Sequence, residues 1–324
     1  MTPLKFDLIA HTDAHMTRQS KVHMPRRASW YPSEASVEWV DEHGEHRVAG
    51  GCARASYFRY KKLFGDVAAD YDAYTQWIFA TGKGVENILV EQWKEAGIWV
   101  ANNVDFYDPD RGIHGEIDAI LHDPVRDEDF GVEVKSFAGY NATVGIMGNK
   151  TIAGTPKDSQ YLQTLVYRSA FDGQLPYFKM IYYARDSGER TQYDIDLISD
   201  ASTGVELHRP TINGVPDKRF TMEDIYERYD RLAEYERQNE IPPADYSAAW
   251  DAKKIERRYA IGNSLKKNAR SRNTEVAKTR YDNWKRNPTA NPIGDWQCNF
   301  CRWKPVCFQG CSPRTDEEIL QLGG

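Results

Sequence analysis

Along residues 70–97, DYDAYTQWIFATGKGVENILVEQWKEAG, apolar side chains recur at helical spacing, with Val85, Ile88, Leu89 and Trp93 on one stripe. That spacing predicts a long helix, and Gly97 is a natural stop. The period then falls to two. IWVANNVDFY, HGEIDAILHD and FGVEVKSF alternate as strands do, and the turn-forming stretches DPDRG and DPVRDED separate them. KDSQYLQTLVYRSAF (157–171) returns to helical spacing, and YFKMIYYAR and TQYDIDLI predict two more strands. Helix, three strands, helix, two strands describes a mixed α/β core rather than a repeating βαβ series. A short helix with aromatics is expected over 52–65. Another is expected over 221–240, capped by Thr221 with Asp224 in the capping-box position and ended by Ile-Pro-Pro at 241–243. Residues 1–50 show no clear period and are expected to form a peripheral arm.

One strand breaks its own pattern. GVEVKS (131–136) reads as core, yet carries Glu133 and Lys135 two positions apart, hence on one face. Upstream, GEID places Asp118 on the preceding strand. If the two strands form a hairpin, Asp118 and Glu133 meet. Adjacent carboxylates repel unless a positive charge lies between them. A divalent cation meets that need, with Lys135 orienting or helping to deprotonate a water, and a phosphodiester is a suitable target for such a site. The same residues also fit an exposed hairpin with a surface ion pair.

Charge changes the picture locally. The 324-residue chain is 40% hydrophobic and 28% charged with a net charge of -6, a balance that does not by itself suggest a nucleic-acid partner. Residues 253–286, however, hold twelve Lys and Arg against three acids. Tyr259, Tyr281 and Trp284 are interleaved there, so the segment reads either as a solvated helical face or as an arm that neutralises phosphates and stacks on unpaired bases. No stretch is apolar enough to span a membrane and the N-terminus lacks a signal-like apolar run, so a cytoplasmic location is expected.

The cysteines are concentrated. Cys52 stands alone, while Cys298, Cys301, Cys307 and Cys311 fall within fourteen residues. In a reducing compartment that crowding points to a metal or cluster rather than disulfides. The run C-x2-C-x5-C-x3-C can form a local four-thiolate zinc knuckle, and four thiolates also suit a 4Fe–4S cluster.

Taken together, GxxD at 115–118, E-V-K at 133–135 and Q-x-x-x-Y at 163–167 resemble the RecB-like branch of the PD-(D/E)xK nucleases. GKGVENILVEQW supplies Glu86 where that branch has an acidic residue or His. The Pro that often precedes the first Asp is absent. Cys52 before the core, with Cys298, Cys301 and Cys307 after it at C-x2-C-x5-C, is similar to the iron–sulfur members, among them the CRISPR-associated RecB-like exonucleases and the AddB nuclease domain. The resemblance covers roughly residues 50–240 and 292–310.

It implies a restriction-endonuclease-like α/β fold, a central mixed sheet flanked by helices, with an iron–sulfur-stapled helical region and a basic helical insertion. The expected divisions are an arm (1–50), the nuclease core (51–240), the insertion (241–291) and a cysteine segment (292–324) closing on Cys52. It further implies a DNA nuclease, most naturally an exonuclease on DNA ends or single strands in recombination, repair or phage DNA processing. Glu86, Asp118, Glu133 and the Val134 carbonyl would bind Mg²⁺ or Mn²⁺, Lys135 would position the attacking water, and Gln163 and Tyr167 would face the site. Cys52, Cys298, Cys301 and Cys307 would hold the 4Fe–4S cluster, leaving Cys311 spare. DNA contacts are expected from His114, Lys266, Lys267, Arg270 and Arg272, and repair proteins or a second copy of the chain are candidate partners. The competing readings are a non-catalytic nucleic-acid-binding module and a zinc-stapled endonuclease.

Overall fold

The computed structural model describes residues 8–19, 29–42, 44–64, 69–201, 207–265, 276 and 278–322. Before the main sheet come α1 (Leu8–Gln19), a 3-10 turn at Pro32–Glu34, the hairpin of β1 (Ser36–Val40) and β2 (His46–Gly50), α2 (Ala53–Lys61) and α3 (Ala73–Glu95). Three strands follow, β3 (Trp99–Asp108), β4 (Ile113–Asp123) and β5 (Glu128–Phe137), then α4 (Tyr140–Met147) and α5 (Asp158–Ala170). Next are β6 (Phe178–Ala184), β7 (Arg190–Asp200), β8 (Leu207–Ile212), β9 (Val215–Pro216) and α6 (Met222–Gln238). The chain continues through α7 (Ala252–Leu265), α8 (Lys278–Arg286), α9 (Trp296–Phe300) and α10 (Lys304–Cys307). It closes with the short strands β10 (Phe308–Gln309) and β11 (Ser312–Pro313) and with α11 (Asp316–Gln321).

The fold is mixed α/β. Strands β3 to β9 form one seven-stranded sheet in sequence order, antiparallel throughout except where β5 runs parallel to β6. A parallel neighbour needs a long crossover, and α4 with α5 provides it. The two faces of β5 are covered differently. On one, α5 buries Tyr161, Leu162, Leu165 and Tyr167 against Phe178, Met180 and Tyr182 of β6. On the other, Val85 and Leu89 of α3 pack on Ala119, Leu121, Val132 and Val134. A strand covered on both sides should be apolar along its length, so Glu133 is the exception that needs explaining.

The expected helix at 70–97 is α3. Asp72 caps it by accepting from the Thr75 N–H, and Gly97, at φ +73°, lies just beyond its end. Its stripe is narrower than the spacing suggested, because Ile88 is 62% exposed. The box at the start of α6 forms as expected, with the Thr221 hydroxyl accepting from Asp224 N–H and the Asp224 carboxylate accepting from Thr221 N–H. The expectation of a peripheral arm over 1–50 fails for its second half. Trp30, Ala35, Val37 and Ala49 are buried in the main core, and Arg228 of α6 reaches the β1–β2 hairpin through Ser36 and Glu38. The hairpin strands β1 and β2 and the short β10 and β11 are not expected from the sequence, nor are β8 and β9, where Pro210 and Pro216 argue against strands locally. Among the described residues no helix is long and apolar enough to cross a membrane.

The aromatics of the basic segment are not free for bases. Tyr259 and Tyr281 stack on each other at 3.8 Å, Trp284 packs beside them, and all three cover a small core of Ile255, Val276 and Ile293 that joins α7 to α8. Lys266, Lys267, Arg270 and Arg272 lie outside the described residues.

Candidate active site and cysteine pocket

Strand β4 stays paired with β5 only as far as Ala119↔Val132, and beyond that point the two diverge. The Val134 N–H therefore has no partner on β4 and donates instead to Asp118 Oδ2 at 2.7 Å. In a strand, the N–H and C=O of one residue point to the same side, so the Val134 carbonyl faces the same gap. Glu133, 1% exposed, lies beside it, and Lys135 makes an ion pair with Glu133 Oε1. The surface-hairpin alternative is thereby excluded. The second carboxylate oxygen, Glu133 Oε2, is buried with no hydrogen-bond partner, a costly arrangement that a bound cation would relieve.

The electrostatics agree with this geometry. Burial pushes the Asp118 carboxyl well above its usual range, and the charge of Glu133 adds to the effect. Burial also raises Glu133, against the pull of Lys135. For Lys135 burial acts downward, but Glu133, Asp118 and Glu86 outweigh it, so the ammonium is held charged. A lysine held charged donates hydrogen bonds and orients; it is poorly placed to act as a base.

Glu86 comes from α3 and is near enough to act on all three groups, while Lys83, one turn earlier, reaches its Oε1 at 2.5 Å. Lys83 was missed from sequence, although its i,i+3 spacing to Glu86 was visible. Gln163 Nε2 donates to the Tyr167 hydroxyl at 2.9 Å on α5. Tyr167 is 3% exposed, and its hydroxyl is raised by burial and by the nearby charge of Glu133. The structure thus brings together Glu86, Asp118, Glu133, Lys135 and the Gln163–Tyr167 pair. It places His114 differently: its Nε2 is 3.7 Å from Asp105 and its ring meets Tyr31 edge-on.

The cysteines form a second locus. Gly50, at φ +92°, has Ala35 O where a side chain would begin, 2.0 Å from an ideal Cβ. Only glycine allows β2 to turn there, and the turn delivers Cys52 to the N-cap of α2. Cys298 on α9, Cys301 after it and Cys307 at the end of α10 line the same cavity of about 260 Å³, with Tyr246 and Phe308 among its walls. Cys311 does not line it. Burial raises Cys52 above the ordinary thiol, with the charge of Asp245 adding to the effect. It also raises Cys301, and it pushes Cys298 and Cys307 up to about 12, with neighbouring thiols reinforcing each shift. Asp245 was not foreseen; besides facing Cys52, it accepts from the Ala53 N–H at 2.6 Å.

Among the described residues, no group of three or more His, Cys, Asp or Glu side chains is set to hold a metal ion as it stands. The expected trio of Glu86, Asp118 and Glu133 is instead occupied by lysines, Lys83 on Glu86 and Lys135 on Glu133. The donor set nonetheless suits a hard divalent cation, since it is carboxylate oxygen with one oxygen left unpaired. The four thiols ringing one cavity suit a soft metal centre.

Comparison with protein-family models gives no match, and no curated protein matches. Among solved structures, a chain titled "Crystal structure of SSO0001" is similar over 74% of this chain and 90% of that chain, at 15% identity and a TM-score of 0.38. That likeness is too distant to bear on the fold or the activity.

Proposed function

We propose that this chain is a divalent-metal-dependent deoxyribonuclease of the RecB-like, iron–sulfur type, acting on DNA ends or single strands. The observation that carries the reading is the buried Glu133 next to the half-buried Asp118, with Glu133 Oε2 unpaired beside a charged Lys135. A fold that places a buried carboxylate next to a second, half-buried one destabilises itself unless the site is completed by a cation. Asp118, Glu133, Glu86 and the Val134 carbonyl would hold Mg²⁺ or Mn²⁺. When bound, such an ion supplies Lewis acidity toward the phosphate and acidifies a water molecule. Lys135, held charged, orients the attacking water and stabilises developing negative charge. Tyr167, fixed by Gln163, keeps its hydroxyl protonated and available as a donor. The sheet and α5 exclude bulk solvent from Glu133, which strengthens each of these interactions.

Cys52, Cys298, Cys301 and Cys307 would hold the 4Fe–4S cluster, joining the segment before the core to the segment after it. Cys52 among the cavity walls, with Cys311 absent from them, supports this set over a local zinc knuckle. The test is digestion of end-labelled single- and double-stranded DNA with and without Mn²⁺, using Glu133→Gln as control. Metal-dependent cleavage lost in the variant is expected. Cleavage that survives Glu133→Gln at near wild-type rate rejects the assigned site.

A further inference from the structure

Helix α2 begins just after Cys52, and the first N–H groups of a helix need acceptors. The Cys52 side chain supplies none: it makes no capping hydrogen bond and lines the cavity of thiols. The acceptor comes instead from 192 residues away in the chain. Asp245 Oδ2 takes the Ala53 N–H at 2.6 Å and the Arg228 guanidinium at 2.7 Å, with its side chain only 7% exposed. A distant carboxylate thus does the capping in place of Cys52, whose sulfur stays free for a metal.

Asp245 belongs to a strap, residues 242–250, that touches both halves of the cysteine set. Toward Cys52, the Pro242 carbonyl accepts from Arg54 Nε at 2.8 Å, and the Tyr246 hydroxyl donates to Gly50 O at 2.9 Å. Toward Cys298, Ser247 and Asp295 exchange two hydrogen bonds: Ser247 N–H to Asp295 Oδ2 at 2.8 Å, and Asp295 N–H to Ser247 O at 2.7 Å. The strap runs so close to Gly294 that an added Cβ there would stand 2.2 Å from Ala248 O. Protein contacts therefore bring the early and late cysteines to one cavity.

A carboxylate is a costly choice beside four thiols. Arg228 does not cancel its charge, because the same guanidinium also pairs with Glu38. Burial and the charge of Asp245 both oppose a thiolate at Cys52, while the backbone N–H groups of Ala55, Asp245 and Arg54 favour it. Negative charge beside an iron–sulfur centre also opposes an added electron, since net charge is one of the quantities that set the reduction potential.

We infer that Asp245 is a positioning residue for the iron–sulfur centre: it fixes Cys52 by capping α2 from across the fold, and its charge makes the centre harder to reduce. This rests on the reading of Cys52, Cys298, Cys301 and Cys307 as a cluster site. The test uses the full chain purified anaerobically, in wild-type form and as two variants. Asp245→Asn keeps an acceptor oxygen for Ala53 and removes the charge; Asp245→Ala removes both. Iron release to EDTA is timed, and the midpoint potential is read from a dithionite titration followed by visible absorbance. Asp245→Ala should release iron roughly 10–100-fold faster than wild type, the usual cost of losing a group that orients a metal ligand. Asp245→Asn should retain iron as wild type does, with its potential moved to a more positive value, a change that a merely structural side chain would not produce. Iron release at the wild-type rate from Asp245→Ala overturns the proposal, as does an unchanged potential in Asp245→Asn. Should Asp245→Ala fail to fold, the potential of Asp245→Asn still decides. Wild-type protein without iron removes the cluster reading itself, an outcome seen before either variant is compared.

Discussion

At the scale of single residues, the site is a charge cluster that the protein alone balances imperfectly. Asp118 and Glu133 hold a proton more tightly than free carboxyls do, because burial penalises their charged forms. The sign of the stability effect follows. Their folded-state affinity for protons exceeds the unfolded one, so the contribution to stability is full below the unfolded carboxyl range and is lost as pH rises through the raised folded values. Metal-free protein should therefore be more stable under mildly acidic conditions than at neutral pH with respect to these groups. Asp118→Asn should raise the neutral-pH melting temperature of metal-free protein and abolish cleavage; a calorimetric scan at two pH values should show the gain fade on acidification. Loss of cleavage in Asp118→Asn or Glu133→Gln should exceed the roughly 10–100-fold typical of groups that only orient a ligand, as a gel assay of initial rates will show. The pairing of Glu133 with Lys135 was legible from the period of a strand. The orphaned Oε2 was not, because it depends on β4 leaving β5 after Ala119, an event of tertiary geometry.

At the scale of elements, the parallel step from β5 to β6 shapes the core. Gly131 pairs with Phe178 across that step, and a Cβ at Gly131 would fall 2.2 Å from the Phe178 ring. Gly131→Ala should cost about 1–3 kcal/mol, the usual penalty for overpacking, read as a lower denaturant midpoint with an unchanged slope. The long strands and α3, α5 and α6 could be read from sequence because one periodicity persists over many residues in each. The hairpin of β1 and β2 could not, since its buried positions become apolar partners only once α6 covers them. The interleaved aromatics of α7 and α8 misled for a related reason: surrounded by Lys and Arg they resemble a base-stacking surface, yet their rings satisfy one another. For the cysteines, spacing alone left two metals open. The prediction for this element pair is that anaerobically purified protein is brown with about four irons per chain. Cys52→Ala should lose the iron and Cys311→Ala should keep it; colourless protein with a single zinc, indifferent to Cys52→Ala, defeats it.

At the scale of the whole molecule, charge is segregated: the window 253–286 is strongly basic while the remainder of the chain is acidic. If that window grips DNA, replacing Lys266, Lys267, Arg270 and Arg272 by Ala should flatten the salt dependence of binding. Each lost phosphate contact removes roughly 0.7–0.9 from the slope of log K against log salt, so four remove about 3. A salt titration of the quadruple variant with an unchanged slope rejects the DNA-arm assignment, while cleavage at saturating DNA should change little in either case. The cysteine pocket spans the molecule in another sense, because Cys52 and Cys298 are some 250 residues apart in the chain yet share one cavity. A ribosome adding about 5–20 residues per second needs roughly 12–50 s to cover that distance. Throughout that interval Tyr57 and Phe58 of α2 lack Trp303 and Phe308, the rings that later bury them, and the Cys52 thiol waits without its neighbours. The nascent chain thus carries a nearly complete sheet beside an uncovered aromatic face, and any product that stops short of Trp296 keeps that face for its lifetime, marked for chaperones and proteases by the very surface that full-length synthesis conceals.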